Sequence, residues 1–241
     1  MTLLLATLLV ALAAPQVPPP KIAADAPPVD TYRVLLEPAA AEAIGLSPAD
    51  PTAPGAAISA GPGRLILFFL RDGRRSGRAR PMDAPFYRGP QPVASIDLPT
   101  LVAGQPIELR DPERAFPHSL DLLDGTYRVQ AVYRRNRDAR SHQAPGNLHG
   151  PIVTVELSAE DADTIELRLD SIMKEAPLPE RPNLAWFELR SELLSDFHGR
   201  EVRHRAGVVF PKDYHRLDAK RRIWPTIYVI PGFGGDHRSA V

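Results

Sequence analysis

The sequence predicts a mainly β chain in two parts. An N-terminal antiparallel β-sandwich covers residues 30–172, and a second unit over residues 185–241 begins as a hairpin and runs into a parallel-type strand. Three observations carry this. Short β-branched, aromatic and aliphatic runs recur between residues 31 and 169, with Gly, Pro and Asp-Gly turn signals between them. The 27 prolines break helices and suit short strands joined by rigid turns. Residues 226–230, Thr-Ile-Tyr-Val-Ile, form an apolar run between Pro225 and Pro231 and then break into Gly232, Gly234 and Gly235. With no polar face, that run reads as a strand buried on both sides.

In chain order, residues 1–13 read as a secretory signal peptide. Residues 3–12 are an unbroken apolar core, and Ala11-Leu12-Ala13 offers a small-x-small cleavage pattern. The run is short for a bilayer span and passes into Pro15 and Pro18-Pro19-Pro20, which stop a helix. Residues 14–29 are a Pro/Ala-rich linker. The expected location is a bacterial periplasm or the exterior, with no membrane contact after signal cleavage. The absence of cysteine excludes disulfides, thiol catalysis, Fe–S ligation and cysteine zinc sites. The 29 basic and 29 acidic side chains cancel, so no global field draws the chain to nucleic acid.

The first predicted strand is residues 31–37, followed by one helical turn over residues 39–44 and a loop around Pro48, Pro51 and Pro54. Residues 63–70, Gly-Arg-Leu-Ile-Leu-Phe-Phe-Leu, give a strand of a two-sided core, and Asp72-Gly73 turns the chain. Strands are next expected at 93–98 and 107–109. After the Asp124-Gly125 turn, residues 126–133 alternate between apolar and polar positions, and strands follow at 152–157 and 164–169. The pattern of residues 127–133 resembles the penultimate strands of immunoglobulin-like modules. That comparison implies a fold and no function. Residues 173–184, with Pro177, Pro179 and Pro182 among charges, mark a linker. Residues 185–194 and 201–210 then read as two strands around an Asp196-Phe-His-Gly199 turn.

The second unit carries the functional signal. Val229-Ile-Pro-Gly-Phe-Gly-Gly-Asp-His237, preceded by Arg205-Ala-Gly-Val-Val-Phe-Pro-Lys-Asp-Tyr214, resembles the opening of the putative esterase family of α/β hydrolases, which includes enterochelin-esterase-like and feruloyl-esterase-like enzymes. In that family the glycine turn after the third strand supplies half of the oxyanion hole. Pro231 stands where the commoner form of the turn has histidine. The resemblance implies acyl transfer by a serine esterase on a small-molecule or polysaccharide-linked ester, without cofactor or metal. It also implies backbone N–H donors at Phe233 or Gly234, with Gly232 and Gly235 shaping the turn. No Gly-x-Ser-x-Gly occurs, so nucleophile, acid and histidine are expected beyond Val241, and the 241 residues by themselves are expected to be inactive. The alternative is a secreted β-sandwich module that binds glycan or protein without catalysis. Oligomeric state is not legible.

Other constellations read as structure. Ser195, Asp196 and His198 are triad residue types within four positions, but neighbours on one turn cannot align nucleophile, base and acid. The five arginines of residues 71–80 read as a solvated hairpin tip, and Arg134, Arg135, Arg137 and Arg140 as a solvated loop. His142 and His149 lie in a Gly/Pro/Asn stretch without the carboxylate or helical spacing of a metal site. As a nucleotide loop the 232–237 turn fails, because His237 falls where the third glycine belongs.

Overall fold

The computed structural model describes residues 30–48, 56–73, 79–84, 89–110, 114–158, 160, 162–214, 222–232 and 235–239. The predicted signal peptide and first linker lie outside them. The chain is mainly β. In order it forms β1 (Thr31–Leu35), helix α1 (Pro38–Ala43), β2 (Gly63–Arg71), β3 (Val93–Leu98), β4 (Ile107–Leu109) and β5 (Ala115–Phe116). Next come β6 (Gly125–Arg134), β7 (Leu148–His149), β8 (Val153–Leu157), β9 (Thr164–Arg168) and β10 (Ser171–Ile172). Then β11 (Leu184–Arg190), helix α2 (Glu192–His198) and β12 (Arg203–Val209) close the sequence of elements.

Two sheets share one core. A three-stranded sheet has the order β4-β1-β9, with β1 antiparallel to β4 and parallel to β9. A seven-stranded sheet runs β10-β7-β6-β2-β3-β5, and β8 pairs with β6 on the edge that β7 also uses. Alternation in β2 sends Leu65, Leu67 and Phe69 inward, and in β6 it sends Tyr127, Val129, Ala131 and Tyr133 the same way. From the smaller sheet they meet Tyr32, Val34, Ile165 and Leu167. Phe69 sits at the centre of this packing, edge-on to Tyr32 at 5.1 Å and to Tyr127 at 6.4 Å. Burial, and secondarily the nearby Asp30, pushes the Tyr32 hydroxyl well above its ordinary pKa, so it stays neutral.

The sheets are joined where one stretch of chain changes sheet. β9 ends at Arg168, Leu169 N–H bonds to Leu35 C=O (2.9 Å) in the small sheet, and Asp170 N–H bonds to His149 C=O (3.3 Å) in the large one. The crossing chain meets Gly150, where an added Cβ would lie 1.7 Å from the Arg168 carbonyl oxygen. Only glycine permits that approach. Gly150 is held from β6 as well, its N–H donating to Ala131 C=O (3.0 Å) and its C=O accepting from Gln130 Nε2 (2.9 Å).

The outer face of the large sheet is covered in part. A turn at Pro81–Asp83 buries Met82 there, and the His142 ring packs on Phe68 with centroids 4.9 Å apart. Val132 and Gln130 are therefore buried on a face that strand alternation assigns to solvent. This is why β6, expected to be half-exposed, is buried on both faces at its C-terminal end.

Strands β3 and β4 fall where the sequence places them, and the other long strands match within a few residues at each end. Two expectations fail. Residues 192–198, expected as the end of the 185–194 strand and the start of the 196–199 turn, form α2. Ser191 caps it by accepting from Leu194 N–H (3.4 Å), and Gly199 ends it in the left-handed region at φ +61°. Residues 226–230 are not a buried strand. They have no β-partner, and Ile227, Tyr228, Val229 and Ile230 are 86%, 87%, 63% and 89% exposed. An apolar run becomes a buried strand only where flanking strands supply hydrogen bonds and cover, and none lies beside this one among the described residues.

Replacing Gly150 with Ala should destabilise the protein by about 3 kcal/mol or more, since backbone rather than a flexible side chain blocks the methyl. Gly73→Ala, which meets nothing within 4 Å, should change the urea midpoint little. A Gly150→Ala protein as stable as Gly73→Ala would refute the crossing geometry.

Burial depresses the His142 pKa, and a hydrogen bond to the Met82 backbone only partly offsets this. The neutral ring is therefore the folded form. Its contribution is present above the ordinary histidine value of about 6.5 and is lost as pH falls through the lower native one. The drop in urea midpoint between about pH 7.5 and 5.5 should be smaller in His142→Gln than in the parent. An identical drop would remove His142 as its source.

Candidate functional site

The glycine turn that carries the functional signal packs beside the β11–β12 hairpin. Gly235 N–H donates to Gly232 C=O (3.0 Å) and closes the turn. A Cβ on Gly235 would lie 2.6 Å from Pro231 Cβ, so this position is glycine for steric reasons. The residues that follow are tied to each other. Asp236 N–H donates to Ser239 Oγ (3.0 Å), Arg238 N–H to Asp236 Oδ1 (2.8 Å), and Ser239 N–H to Asp236 C=O (3.0 Å). The N–H groups of Gly235, Asp236, Arg238 and Ser239 are thus spent within the turn and are not free to hold an oxyanion. Phe233 and Gly234, the predicted donors, lie outside the described residues. Gly232 lies in the turn as the acceptor of the Gly235 bond, and a Cβ on it would meet nothing within 4 Å.

A cleft of about 410 Å³ opens beside it, lined by Glu175, Trp186, Glu188, Arg205 and His237 among others. Pairing of β11 with β12 sets Glu188 opposite Arg205 and Trp186 opposite Gly207. Arg205 bridges two carboxylates, Nη1 to Glu175 at 3.2 Å and Nε to Glu188 at 3.4 Å. Arg238 also reaches Glu175 (3.1 Å) and the Ala176 carbonyl (3.0 Å), which ties the turn to the linker. His237 lies edge-on to Trp186 with centroids 5.5 Å apart, and the indole N–H donates to Pro179 C=O (3.0 Å). These partly exposed ion pairs orient the cleft, each at a gain of about 1 kcal/mol or less. Glu175 and Trp186 carry no motif, and Arg205 only opens the stretch that precedes the glycine turn. Cross-strand charge pairing on the predicted hairpin is the only signal that could have found Glu188 and Arg205 together.

The structure keeps the rejected constellations apart. Ser195 is buried under α2, its hydroxyl accepting from Val202 N–H (2.9 Å), while Asp196 and His198 are exposed. No hydrogen bond joins a serine to a histidine among the described residues, so no nucleophile–base pair is assembled there. His149 is part of β7, and His142 packs on Phe68. No group of three or more potential metal ligands occurs among the described residues. Of the arginines at 71–80, Arg80 pairs with Asp83 (2.6 Å), and residues 74–78 lie outside the described part.

Comparison with family models, with curated proteins and with solved structures finds no match for this chain.

Native hydrogen exchange should divide the molecule. Amides of residues 129–132, in a central strand, should be strongly protected, and those of 227–230, without a strand partner, should exchange at nearly the free-peptide rate. Equal protection in a monomer would mean that residues 226–230 belong to a sheet.

Proposed function

We propose that residues 185–241 open an α/β-hydrolase domain of the serine-esterase class, and that the two-sheet unit preceding it is an immunoglobulin-like β-sandwich domain of the same secreted enzyme. The reaction is hydrolysis of a carboxylic ester, with attack by a serine supplied beyond Val241. The observation that carries this is the run at 226–230. Consecutive apolar residues stand exposed between a hairpin and a sterically obligatory glycine turn. Such a segment fits the inside of a larger parallel sheet. The hairpin agrees with this, since Phe187, Leu189, Val208 and Val209 are also exposed.

In this reading the turn brings main-chain N–H groups to the carbonyl being attacked. Phe233 or Gly234 donates to the developing oxyanion, and the residue after the nucleophile donates from the other side. Gly235 fixes the turn without contacting the ester, because its own N–H is taken by Gly232. The cleft with Trp186 and Arg205 lies beside this point and contributes an apolar wall and a fixed cation to substrate placement.

The test is the polypeptide encoded by the reading frame continued past Val241. It should hydrolyse a p-nitrophenyl ester and be labelled by a fluorophosphonate at a serine in the continued part, whereas the 241 residues alone should stay at background. Phe233→Pro removes one N–H donor and should lower kcat by about 10²- to 10³-fold. Unlabelled protein, or hydrolysis by the 241 residues that survives serine-reactive inhibitors, would sink the esterase reading.

A further inference from the structure

Arg134 ends β6, and Arg135, Arg137 and Arg140 follow it on a partly solvated loop. Their backbone is held by Asn147, a fully buried side chain. Asn147 Oδ1 accepts from Arg135 N–H (3.0 Å) and Asn136 N–H (2.8 Å), and its Nδ2 donates to the His142 (3.0 Å) and Ser141 (3.2 Å) carbonyls. Asn136 repeats the device. Its Nδ2 donates to Pro145 C=O (2.8 Å), and its Oδ1 accepts from Asp138 N–H (2.9 Å) and Ala139 N–H (3.2 Å). A loop whose own amides are satisfied in this way presents its side chains from a fixed backbone, which lowers the ordering cost of binding.

Two clefts meet at this loop. One, of about 510 Å³, is lined by Arg64, Arg134, Arg137 and Asp97 together with the Pro62–Gly63 backbone. The other, of about 430 Å³, is lined by Arg135, Arg137, Arg200 and Asp138. Arg137 and Asn136 line both, so the two clefts adjoin at the loop. Their two carboxylates are already engaged, Asp97 by a two-pronged bond from Arg64 (2.7 and 2.6 Å) and Asp138 by Arg200 (2.6 Å). Arg134, Arg135 and Arg137 form no ion pair with an acidic side chain among the described residues. In a chain whose charges cancel, five arginines facing two carboxylates are a local excess of cation, and Asp97 acts on Arg134 as well as on Arg64.

We propose that this double cleft binds an anionic oligosaccharide, one bearing sulfate or carboxylate groups spaced along a chain, with Arg134, Arg135 and Arg137 as its ligands. Guanidinium forks match both groups with paired hydrogen bonds. Two adjoining clefts suit a chain with spaced charges rather than a single ion. No aromatic side chain lines either cleft, so the stacking platform that single-stranded nucleic acid uses is missing. The proposed ligands belong to the two-sheet unit, Arg200 of the second unit completes one cleft, and the proposal is independent of the esterase reading.

The experiment uses the full chain, calorimetric titration at low and moderate salt, and four probes: a heparin hexasaccharide, a hexagalacturonate, a neutral xylohexaose and an oligothymidylate. One or both anionic sugars should bind, with affinity falling as salt rises, and the neutral sugar should not. The sulfated and uronate arms tell which anion the site takes. Arg134→Ala/Arg137→Ala should weaken binding by about tenfold or more, two charge-assisted contacts being lost. Arg33→Ala/Arg168→Ala, which removes the same charge from the other sheet, should bind like the parent. Failure of both anionic sugars to bind, equal losses in the two double variants, or tighter binding of the oligothymidylate would overturn the assignment. Thermal melting of each variant separates lost binding from lost fold.

Discussion

The close passage of Arg168 C=O over Gly150 is the contact on which the two-sheet unit depends. At that point a side chain would collide with backbone, so the two sheets come together only because one residue has none. Around it the chain is pinned from three sides, by Ala131 and Gln130 in β6, by Leu35 at the end of β1, and by His149 in β7. The consequence is topological. β9 pairs parallel to β1 in the small sheet, and two residues later β10 pairs with β7 in the large one, so the core is closed along this edge by continuous main chain. Strands that change sheet in this way make the corners of closed β structures.

The basic loop follows from the same corner. β6 must end before Asn136, β7 must begin at Leu148 to reach the crossing, and the intervening residues have to fold back over the sheet end. Asn147 sits one residue before β7 and faces inward, so the side chain that starts the return strand also satisfies the loop leaving β6. Burying an amide costs free energy unless its hydrogen bonds are made, and Asn147 makes four. The position of the arginines is thus a by-product of core closure. Their electrostatic character comes from sequence, because Asp97 and Asp138 each find a nearer cation.

Much of the fold was legible because burial on one face writes a period of two into a strand. Val93–Leu98 and Ile107–Leu109 were read to the residue, and the long strands β2 and β6 within one or two. β5, β7 and β10 have two residues each and leave no period to read. Gly150 gave no signal either, since its need for space comes from Arg168, eighteen positions away. At the candidate site Gly232 and Gly235 were legible as turn residues, but Glu175, Trp186 and Arg205 assemble only in three dimensions. Residues 226–230 show the limit of the apolar-run rule. The rule reports that a segment wants cover, and among the described residues no strand supplies it here.

That limit bears on the whole second unit. β11 and β12 pair over seven positions, yet a lone two-stranded hairpin is marginal in water, and this one has no core of its own. α2 exposes Leu193 and Phe197, one helical turn apart, and the hairpin exposes Phe187, Leu189 and Val209. Among the described residues the Arg200–Asp138 ion pair joins it to the first unit, and Arg205 on Glu175 joins it to the linker. Pairs of this exposure give about 1 kcal/mol or less each and weaken with salt. Covering several exposed aliphatic and aromatic side chains is worth about 1.5–3 kcal/mol for each one fully buried. The apolar term therefore outweighs the ionic one severalfold. The arrangement of the cleft around Trp186 and Arg205 is set by whatever covers that apolar surface, and the ion pairs only choose among orientations it allows.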